Sequence, residues 1–321
     1  MADDPLRHYW HPVALSSELN SGPLSTMLLD EPIVLWRANG RPVALRDLCI
    51  HRGARLSLGW VENDNIVCTY HGWSYDPEGA CVRIPSLPPG RAIPRKARIT
   101  RYHCVEKYGL IFVCPDDPVR PVVEFPEFTQ PGYKTFFFGR HRWKTSAARM
   151  IENFMDISHF PWVHPGTLGD RAKPVIPNIE VQRGSGELRF EVATEGRSRT
   201  DPSLVTTDRV TYRVVLPFTI YNERITPAAE RLVFFFLVSP VRSNEIDRYM
   251  FLARNYAFDE SDEKFRKFSM EVAEQDRVVV ESQRPEDLPL DLSEELHLRG
   301  PDNCAVVYRQ MMRELGVSDV T

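Results

Sequence analysis

The chain has 321 residues, a formal net charge of -4 and 42% hydrophobic residues, which is enough for two domains with ordinary apolar cores. No block of Lys and Arg residues resembles those that follow a nucleic-acid backbone. The first residues, MADDPLRHYWHPV, lack the basic start and apolar stretch of a secretory signal. The longest apolar run, Leu232 to Val238, is too short to span a bilayer. We therefore expect a soluble, cytoplasmic protein that binds neither nucleic acid nor membrane.

The first third of the chain has the pattern of a small β domain. From residue 8 to about residue 118, short runs of Val, Ile, Leu and aromatic residues are separated by Gly and Pro. Five prolines between residues 115 and 131 indicate a connector. We therefore assign residues 1–118 to one domain and residues 119–321 to a second.

The second domain begins with a helix predicted at about Ala147 to Phe160, which Pro161 should end. Alternating segments then predict one antiparallel sheet, with strands at about 187–195, 209–217, 231–239 and 248–257. Two further helices are predicted, at roughly 261–282 and 305–315. A β domain followed by a helix, a larger sheet and C-terminal helices is an α+β fold.

Two short segments of the first domain each carry a cysteine and a histidine. Sixteen residues separate Cys49-Ile50-His51 from Cys68-Thr69-Tyr70-His71. Two thiolates and two imidazoles on two turns suit a tetrahedral zinc site. They equally suit a [2Fe–2S] cluster in which two His replace two Cys on one iron. A third reading is four unrelated core residues.

The distribution of the ligands favours the cluster. Each segment supplies one Cys and one His, whereas a zinc site more often takes a C-x-x-C pair from one side. With their flanking residues the segments read C-x-H-R-G and C-x-x-H-G-W-x-Y-D, and this long pattern resembles the Rieske signature. The resemblance implies a Rieske [2Fe–2S] cluster bound by Cys49, His51, Cys68 and His71.

The cluster segments also point to one branch of the Rieske proteins. Respiratory members carry a further cysteine in each loop, and the two form a disulfide. Ala54 and Tyr70 stand at those positions here, so the resemblance is to the ferredoxin and oxygenase branch. A ferredoxin could stop near residue 115, whereas this chain continues for about two hundred residues.

A second polar motif accounts for that extra length. At about 100° per residue, Asn153, Asp156 and His159 fall within one sector of the predicted helix, among mostly apolar positions. Such a stripe needs partners, and His164 is close enough in sequence to turn back towards His159. Two histidines and a carboxylate form the facial triad of Fe(II) oxygenases. The pattern N-x-x-D-x-x-H-x-x-x-x-H resembles the mononuclear-iron motif of Rieske oxygenases, which implies His159 and His164 as iron ligands.

Spacing does not identify the carboxylate of this triad. The predicted helix near the C-terminus offers four acids: Glu271, Glu274, Asp276 and Glu281. Physical reasoning from the residues does not choose among them. The stretch from Glu274 to Glu281 resembles the aromatic demethylases of the family, in which the aspartate of such a stretch binds iron. This resemblance implies Asp276 as the third ligand.

The resemblance to Rieske non-heme iron oxygenases covers nearly the whole chain. It implies an all-β Rieske domain, a catalytic domain of the helix-grip (START-like) type, one [2Fe–2S] cluster and one mononuclear Fe(II). The chain is most similar to the vanillate, toluenesulfonate and dicamba group. That similarity implies the terminal oxygenase of a multicomponent enzyme that hydroxylates or oxidatively demethylates an aromatic compound. The alternatives are a Rieske-type electron-transfer protein without oxygenase chemistry and a zinc-stabilised binding module.

The family also implies protein partners. No G-x-G-x-x-G pattern follows a predicted strand, so we expect electrons from a separate NAD(P)H-dependent reductase. Three basic residues near the cluster segments are candidates for docking it, or are solvated surface charges: Arg52, Arg55 and Arg83.

By resemblance, the chain forms a head-to-tail homotrimer that brings the cluster of one subunit to the iron of the next. Asp156 then links the partner subunit's His71 to His159, and Asn153 supports the same network. We expect Asp156→Ala to keep both metals and lose turnover.

The residues that bind the substrate are less clearly marked. Asn222 and Phe236 lie near positions that contact substrate in the demethylases, and an aromatic wall with one amide suits a planar, mostly apolar substrate. Ordinary core packing explains these residues equally well. Alternation along the strand places Phe235 on the face opposite Phe234 and Phe236. The sequence shows no clear arginine clamp and does not indicate a carboxylated substrate.

Overall fold

The computed structural model describes residues 4–20, 22–197 and 204–317. The chain forms two compact units, Pro5–Val122 and a C-terminal unit from Val123 onwards. The sequence placed its domain boundary between residues 118 and 119, in the proline-containing connector. None of the described helices combines the length and the apolar composition that crossing a membrane requires.

The N-terminal unit is built from short antiparallel strands. They are β1 (His11–Leu15), β2 (Leu24–Leu28), β3 (Glu31–Ala38), β4 (Arg41–Arg46), β5 (Trp60–Glu62), β6 (Asn65–Val67), β7 (Ser74–Tyr75), β8 (Cys81–Arg83), β9 (Arg101–Lys107) and β10 (Leu110–Cys114). Six of them form a sheet in the order β1-β10-β9-β4-β3-β2, and four form a second sheet in the order β5-β6-β7-β8. Short 3₁₀ turns lie at Pro5–His8, Ser16–Asn20 and Leu56–Leu58.

The two sheets of this unit share one apolar core. Trp36 of the larger sheet and Ile66 and Tyr75 of the smaller one belong to the same buried cluster, which also contains Cys49 and Cys68. Burial of this apolar surface stabilises the unit. Because Cys49 and Cys68 belong to this core, the first residue of each Cys–His segment is held in place by packing.

The C-terminal unit combines one antiparallel sheet with four α-helices in its described residues. Its elements are β11 (Lys134–Trp143), α1 (Ala147–Met155), α2 (Phe160–Val163), β12 (Gln182–Gly184), β13 (Glu187–Arg197), β14 (Val205–Val215), β15 (Thr219–Ile225), β16 (Arg231–Arg242), β17 (Glu245–Arg254), α3 (Asp262–Val280) and α4 (Asn303–Glu314), with a 3₁₀ turn at Pro126–Phe128. The sheet order is β11-β17-β16-β15-β14-β13-β12. The predicted α+β class is confirmed.

The four predicted strands overlap β13, β14, β16 and β17, and the two predicted C-terminal helices overlap α3 and α4. Strand β11 was not predicted. It pairs with β17, the last strand of the sheet in sequence, through a register that shifts between Phe137 and Gly139. That partner is more than one hundred residues away in the chain, and local patterning does not reveal such a pairing.

The two faces of the sheet meet different segments of the chain. Phe235 stacks on Phe125 with ring centroids 4.7 Å apart. On the other face Phe236 stacks on Phe154 of α1 at 4.6 Å, as strand alternation predicts. Helix α1 contacts β16, α3 and α4. The helices therefore cover the face that carries Phe236.

The predicted helix from Ala147 to Phe160 is wrong in its second half. Helix α1 ends at Met155, and Asp156 has extended backbone angles. One carboxylate oxygen of Asp156 accepts the amide of Ser158 at 2.7 Å, an Asx turn that competes with helical hydrogen bonding. Pro161 does not end a helix either. It lies in the first turn of α2, where a missing amide proton costs nothing.

Candidate metal centres

The two Cys–His segments form loops with the same backbone arrangement. In the first loop the amide of Gly53 donates to the carbonyl of Cys49 at 2.8 Å. In the second loop the amide of Gly72 donates to the carbonyl of Cys68 at 2.9 Å. Both glycines have a φ of +69°, a left-handed conformation that a side chain would strain. The glycine that follows each histidine in the motif therefore serves to close a tight turn.

Side chains from the two loops converge on one place. The thiols of Cys49 and Cys68 are both buried. The rings of His51 and His71 lie edge to face with centroids 4.6 Å apart. The Tyr75 hydroxyl lies 3.0 Å from Cys49 Sγ. The structure thus brings the two proposed histidine ligands together, and the two proposed cysteine ligands interact with each other.

This donor set fits a Rieske cluster. Each loop contributes one thiol and one imidazole, which is the combination that such a cluster uses. His51 Nδ1 is buried and has no hydrogen-bond partner in the part of the chain that the structure describes. Burying a polar nitrogen without a partner is costly, and a bond to a metal removes that cost. Partial desolvation together with His71 and Arg52 lowers the pKa of His51, which favours the neutral ring that a metal ligand requires.

The second centre lies in the C-terminal unit, where the chain leaves α1. The Asx turn at Asp156 directs the chain towards α2, whose flanking residues are His159 and His164. His159 Nε2 lies 3.3 Å from Asp276 Oδ1, and His164 Nε2 lies 3.0 Å from the same oxygen. One ligand atom from each of the three residues lies within 4.8 Å of the others. The structure therefore brings the proposed iron ligands together.

The other nitrogen of each histidine has its own acceptor. His159 Nδ1 donates to Asp156 Oδ2 at 3.1 Å, and His164 Nδ1 donates to Gln275 Oε1 at 2.7 Å. A proton held on Nδ1 leaves the lone pair on Nε2, which faces Asp276. The site thus presents two imidazole nitrogens and one carboxylate, the donor set of a mononuclear Fe(II) oxygenase. The sequence did not single out Gln275, and its position beside Asp276 was the only available signal.

Charges within the centre are strongly coupled. Burial would lower the pKa of His159, but hydrogen bonds with Asp156 and Asp276 raise it to about 9. Burial would raise the pKa of Asp156, but its hydrogen bonds with His159 and Ser158 lower it overall. A cation bound by the three ligands would replace the proton that His159 shares with Asp276, because metal binding releases protons from its ligands.

The remaining acids of α3 have other partners. Glu274 forms an ion pair with Arg277. Glu281 accepts the amide of Lys144 at 3.0 Å, and Glu271 is exposed. Of the four candidates for the third ligand, only Asp276 is grouped with the two histidines. The packing of α3 thus places the acid that the family resemblance implied beside the two histidines.

The structure does not connect Asn153 to the centre. Its carbonyl accepts the amide of Asp156, but no hydrogen bond of its side chain is found in the described ranges. Asn222 is buried, and its amide nitrogen lies 3.4 Å from the carbonyl of Thr211. Phe236 is fully buried against Phe154.

The three basic residues proposed for reductase docking are exposed on the N-terminal unit. Arg83 lies 3.4 Å from Glu62, a weak surface pair. Arg52 directly follows His51 and Arg55 comes four residues after it, and both are exposed.

Comparison with known families covers both units. The Rieske [2Fe-2S] domain family matches residues 9–108. The family described as the vanillate O-demethylase oxygenase C-terminal domain matches residues 143–318. The two matches contain all the proposed ligands of the cluster and of the iron, respectively.

Two relatives from Pseudomonas putida align along nearly the full chain. Methylxanthine N1-demethylase NdmA is 36% identical over 320 residues, which cover 97% of this chain and 89% of that protein. Methylxanthine N3-demethylase NdmB is 33% identical over 328 residues, with 98% and 91% covered. A solved structure of NdmA with caffeine has a TM-score of 0.86 at 34% identity and covers 97% of this chain and 91% of that one.

Proposed function

Because this chain belongs to the Rieske non-heme iron oxygenases, we propose that it removes an O- or N-methyl group from an aromatic compound by oxidation, as the terminal component of a multicomponent enzyme. One observation carries the proposal. The ligand atoms of His159, His164 and Asp276 lie within 4.8 Å of one another, and Nδ1 of each histidine has its own acceptor.

When bound, the cluster supplies electrons one at a time and the mononuclear iron activates O₂. Asp156 and Gln275 hold the two imidazole rings in the orientation and tautomer that ligation needs. Overall, a methyl group, O₂ and NADH with one proton become a demethylated product, formaldehyde, NAD⁺ and water. Hydroxylation of the methyl carbon gives a hemiacetal or carbinolamine, which collapses to release formaldehyde.

The proposal extends to protein partners. Electrons arrive from a separate NAD(P)H-dependent reductase, for which Arg52 and Arg55 offer an exposed basic surface beside the cluster loop. The chain assembles as a homotrimer in which Asp156 bridges to the partner subunit's His71. The Asp156 side chain is 36% exposed although its carboxylate binds His159 and Ser158, which leaves it accessible to a neighbouring subunit.

Asn222 and Phe236 are proposed to line the substrate site. In the pairing of β15 with β16, Asn222 lies opposite Phe234 and Ile220 lies opposite Phe236. Alternation therefore places Asn222 and Phe236 on the same face of the sheet. Phe154 of α1 stacks on Phe236, and α1 leads directly to the turn at Asp156. Helix α1 thus connects the face that carries Phe236 to the turn that holds His159, which supports a substrate site between the sheet and the iron ligands.

Formaldehyde release tests the reaction. Reconstituted enzyme, a surrogate reductase and NADH are incubated with a panel of methoxy aromatics, N-methyl aromatics and methylxanthines, and O₂ uptake is followed in parallel. We expect formaldehyde in proportion to O₂ consumed for at least one class. Hydroxylated products without formaldehyde from every member would refute demethylation. The Asp276→Ala variant, which lacks one proposed iron ligand, is the matched control and should release none.

Metal content separates this proposal from an electron carrier. About three irons and two acid-labile sulfides per chain are expected for an oxygenase with both centres. About two irons and two sulfides would indicate a carrier, and zinc without sulfide would contradict both. Asp276→Ala should fall from three irons to two and keep both sulfides.

A further inference from the structure

Buried arginines of the C-terminal unit are normally paired with acids. In the part of this unit whose side chains are described, four arginine residues are 5% exposed or less: Arg149, Arg248, Arg254 and Arg309. Three of them form ion pairs: Arg149 with Glu295, Arg254 with Asp262, and Arg309 with Glu152 and Glu295. This pairing is expected, because a buried charge is costly unless it is paired.

Arg248 departs from this rule. Among the described residues, no carboxylate forms an ion pair with it, and its Nε is buried without a hydrogen-bond partner. Its guanidinium lies over the ring of Trp143 at 4.6 Å and near that of Phe236 at 5.8 Å. Aromatic contacts stabilise the flat face of the cation. Among the described residues they leave Nε–H without an acceptor and the guanidinium without an ion pair, and its in-plane N–H donors match a carboxylate in geometry.

Arg248 also lies on the face of the sheet proposed to bind substrate. Val238 of β16 pairs with Arg248 of β17, and Phe236 is two residues from Val238 on the same face. Phe236 in turn stacks on Phe154 of α1. The arginine is therefore next to the aromatic wall that the proposed function assigns to the substrate.

The charges around Arg248 leave it a net cation. Burial lowers the pKa of Arg248 to about 10, against the attraction of Asp276 and Glu274, so it stays protonated at neutral pH. Neither acid is free to neutralise it, since Glu274 pairs with Arg277 and Asp276 faces the two histidines of the triad. A divalent cation bound to Asp276 would leave still less negative charge for the arginine.

His141 lies opposite Arg248 in the pairing of β11 with β17, and its Nε2 is also buried without a partner in the described ranges. Burial and the charge of Arg248 lower the pKa of His141, which favours the neutral ring. Two buried nitrogens without partners thus share one patch of the sheet.

We infer that Arg248 binds a carboxylate carried by the aromatic substrate, which makes the substrate class methoxylated or N-methylated aromatic acids. The inference rests on the proposed function for the reacting methyl group. The sequence showed no clear arginine clamp, and Arg248 is the candidate that the structure adds. Asn222 and Phe236 then contact the ring, and Arg248 fixes the orientation of the substrate in the site.

The test compares matched acids and amides. Anaerobic calorimetric titration of the holoenzyme, without reductase or NADH, measures binding of 3- and 4-methoxybenzoate and of the two corresponding methoxybenzamides. The same titrations are made with Arg248→Met, which removes the charge and keeps the length, and with Arg248→Lys, which keeps the charge. Arg242→Met is the matched control, because Arg242 is an exposed arginine at the end of the same sheet.

We expect the wild type to bind at least one benzoate about tenfold to one hundredfold more tightly than its benzamide, the usual range for a hydrogen-bonded charge pair. Arg248→Met should abolish that ratio, Arg248→Lys should keep part of it, and Arg242→Met should leave it unchanged. Equal or weaker binding of both benzoates by the wild type, or no binding of either, would overturn the inference. Should Arg248→Met fail to fold, the wild-type and Arg248→Lys ratios decide.

Failure of this inference and failure of the proposed function are distinguishable. Titration without reductant reports on recognition alone, and formaldehyde release reports on the reaction. A preference for acids without formaldehyde would contradict demethylation and leave the role of Arg248 standing. Formaldehyde from neutral methyl compounds, with no preference for acids, would support demethylation and contradict the role of Arg248.

Discussion

Replacing Gln275 with leucine should weaken iron binding without affecting the cluster. Gln275 Oε1 accepts the His164 Nδ1 proton at 2.7 Å, and the His164 side chain is fully buried. In the iron-bound protein that proton must stay on Nδ1, so the variant leaves a buried N–H without an acceptor, at a cost of about 1–3 kcal/mol. The iron-free variant escapes part of this cost by changing tautomer. Iron affinity should therefore fall roughly 10- to 100-fold.

Anaerobic titration of Fe(II) against a competing chelator measures this affinity, and the visible absorption of the cluster reports its integrity in the same sample. Gln275→Glu keeps an acceptor at the same place and should bind iron at least as tightly as the wild type. Val279→Ala, an exposed position on the same helix, controls for changes in α3. Unchanged affinity in Gln275→Leu, or equal losses in the Leu and Glu variants, would refute the orienting role.

Two further predictions concern Asp156 and His11. Asp156→Asn keeps an oxygen for the amide of Ser158 and removes the charge beside His159. It should weaken iron binding as Gln275→Leu does, but with Fe(II) in excess it should hold three irons and two sulfides while turnover falls about 10- to 100-fold or more. Loss of iron under these conditions with electron transfer preserved would contradict the bridging role, and Asp156→Ala tests the added effect of losing the turn. Burial lowers the pKa of His11 to about 4, so the unfolded state takes up its proton first as the pH falls below 6.5. Between pH 7 and pH 5 the free energy of unfolding, measured by denaturant titration, should therefore fall by about 2 kcal/mol more in the wild type than in His11→Gln. If the two proteins instead lose stability in parallel as the pH falls, His11 is not the group responsible.

The break in the predicted helix shows how local chemistry can override a periodic pattern. The spacing of Asn153, Asp156 and His159 fits a helical stripe, but only Asn153 is in α1. Asp156 uses one carboxylate oxygen to turn the chain and the other to hold His159. The prediction of a helix face was wrong, because a side chain that accepts a nearby amide competes with the helix.

Short motifs carried most of what the sequence determined about this protein. The two Cys–His segments, the paired histidines and the α+β order of elements are local features, since the geometry of a tight turn is fixed by residues next to one another in the chain. They sufficed for the family, the cofactors and the fold class.

Tertiary structure decided what depends on residues distant in sequence. Spacing alone did not distinguish Asp276 from Glu271, Glu274 and Glu281, whereas the packing of α3 places Asp276 beside the two histidines and Gln275 on His164. Likewise, Arg248 is one of many arginines in the sequence, and only the folded structure shows that it is buried with no ion pair to any described residue. Contacts between distant segments depend on the packing of the whole unit, and no local pattern encodes them.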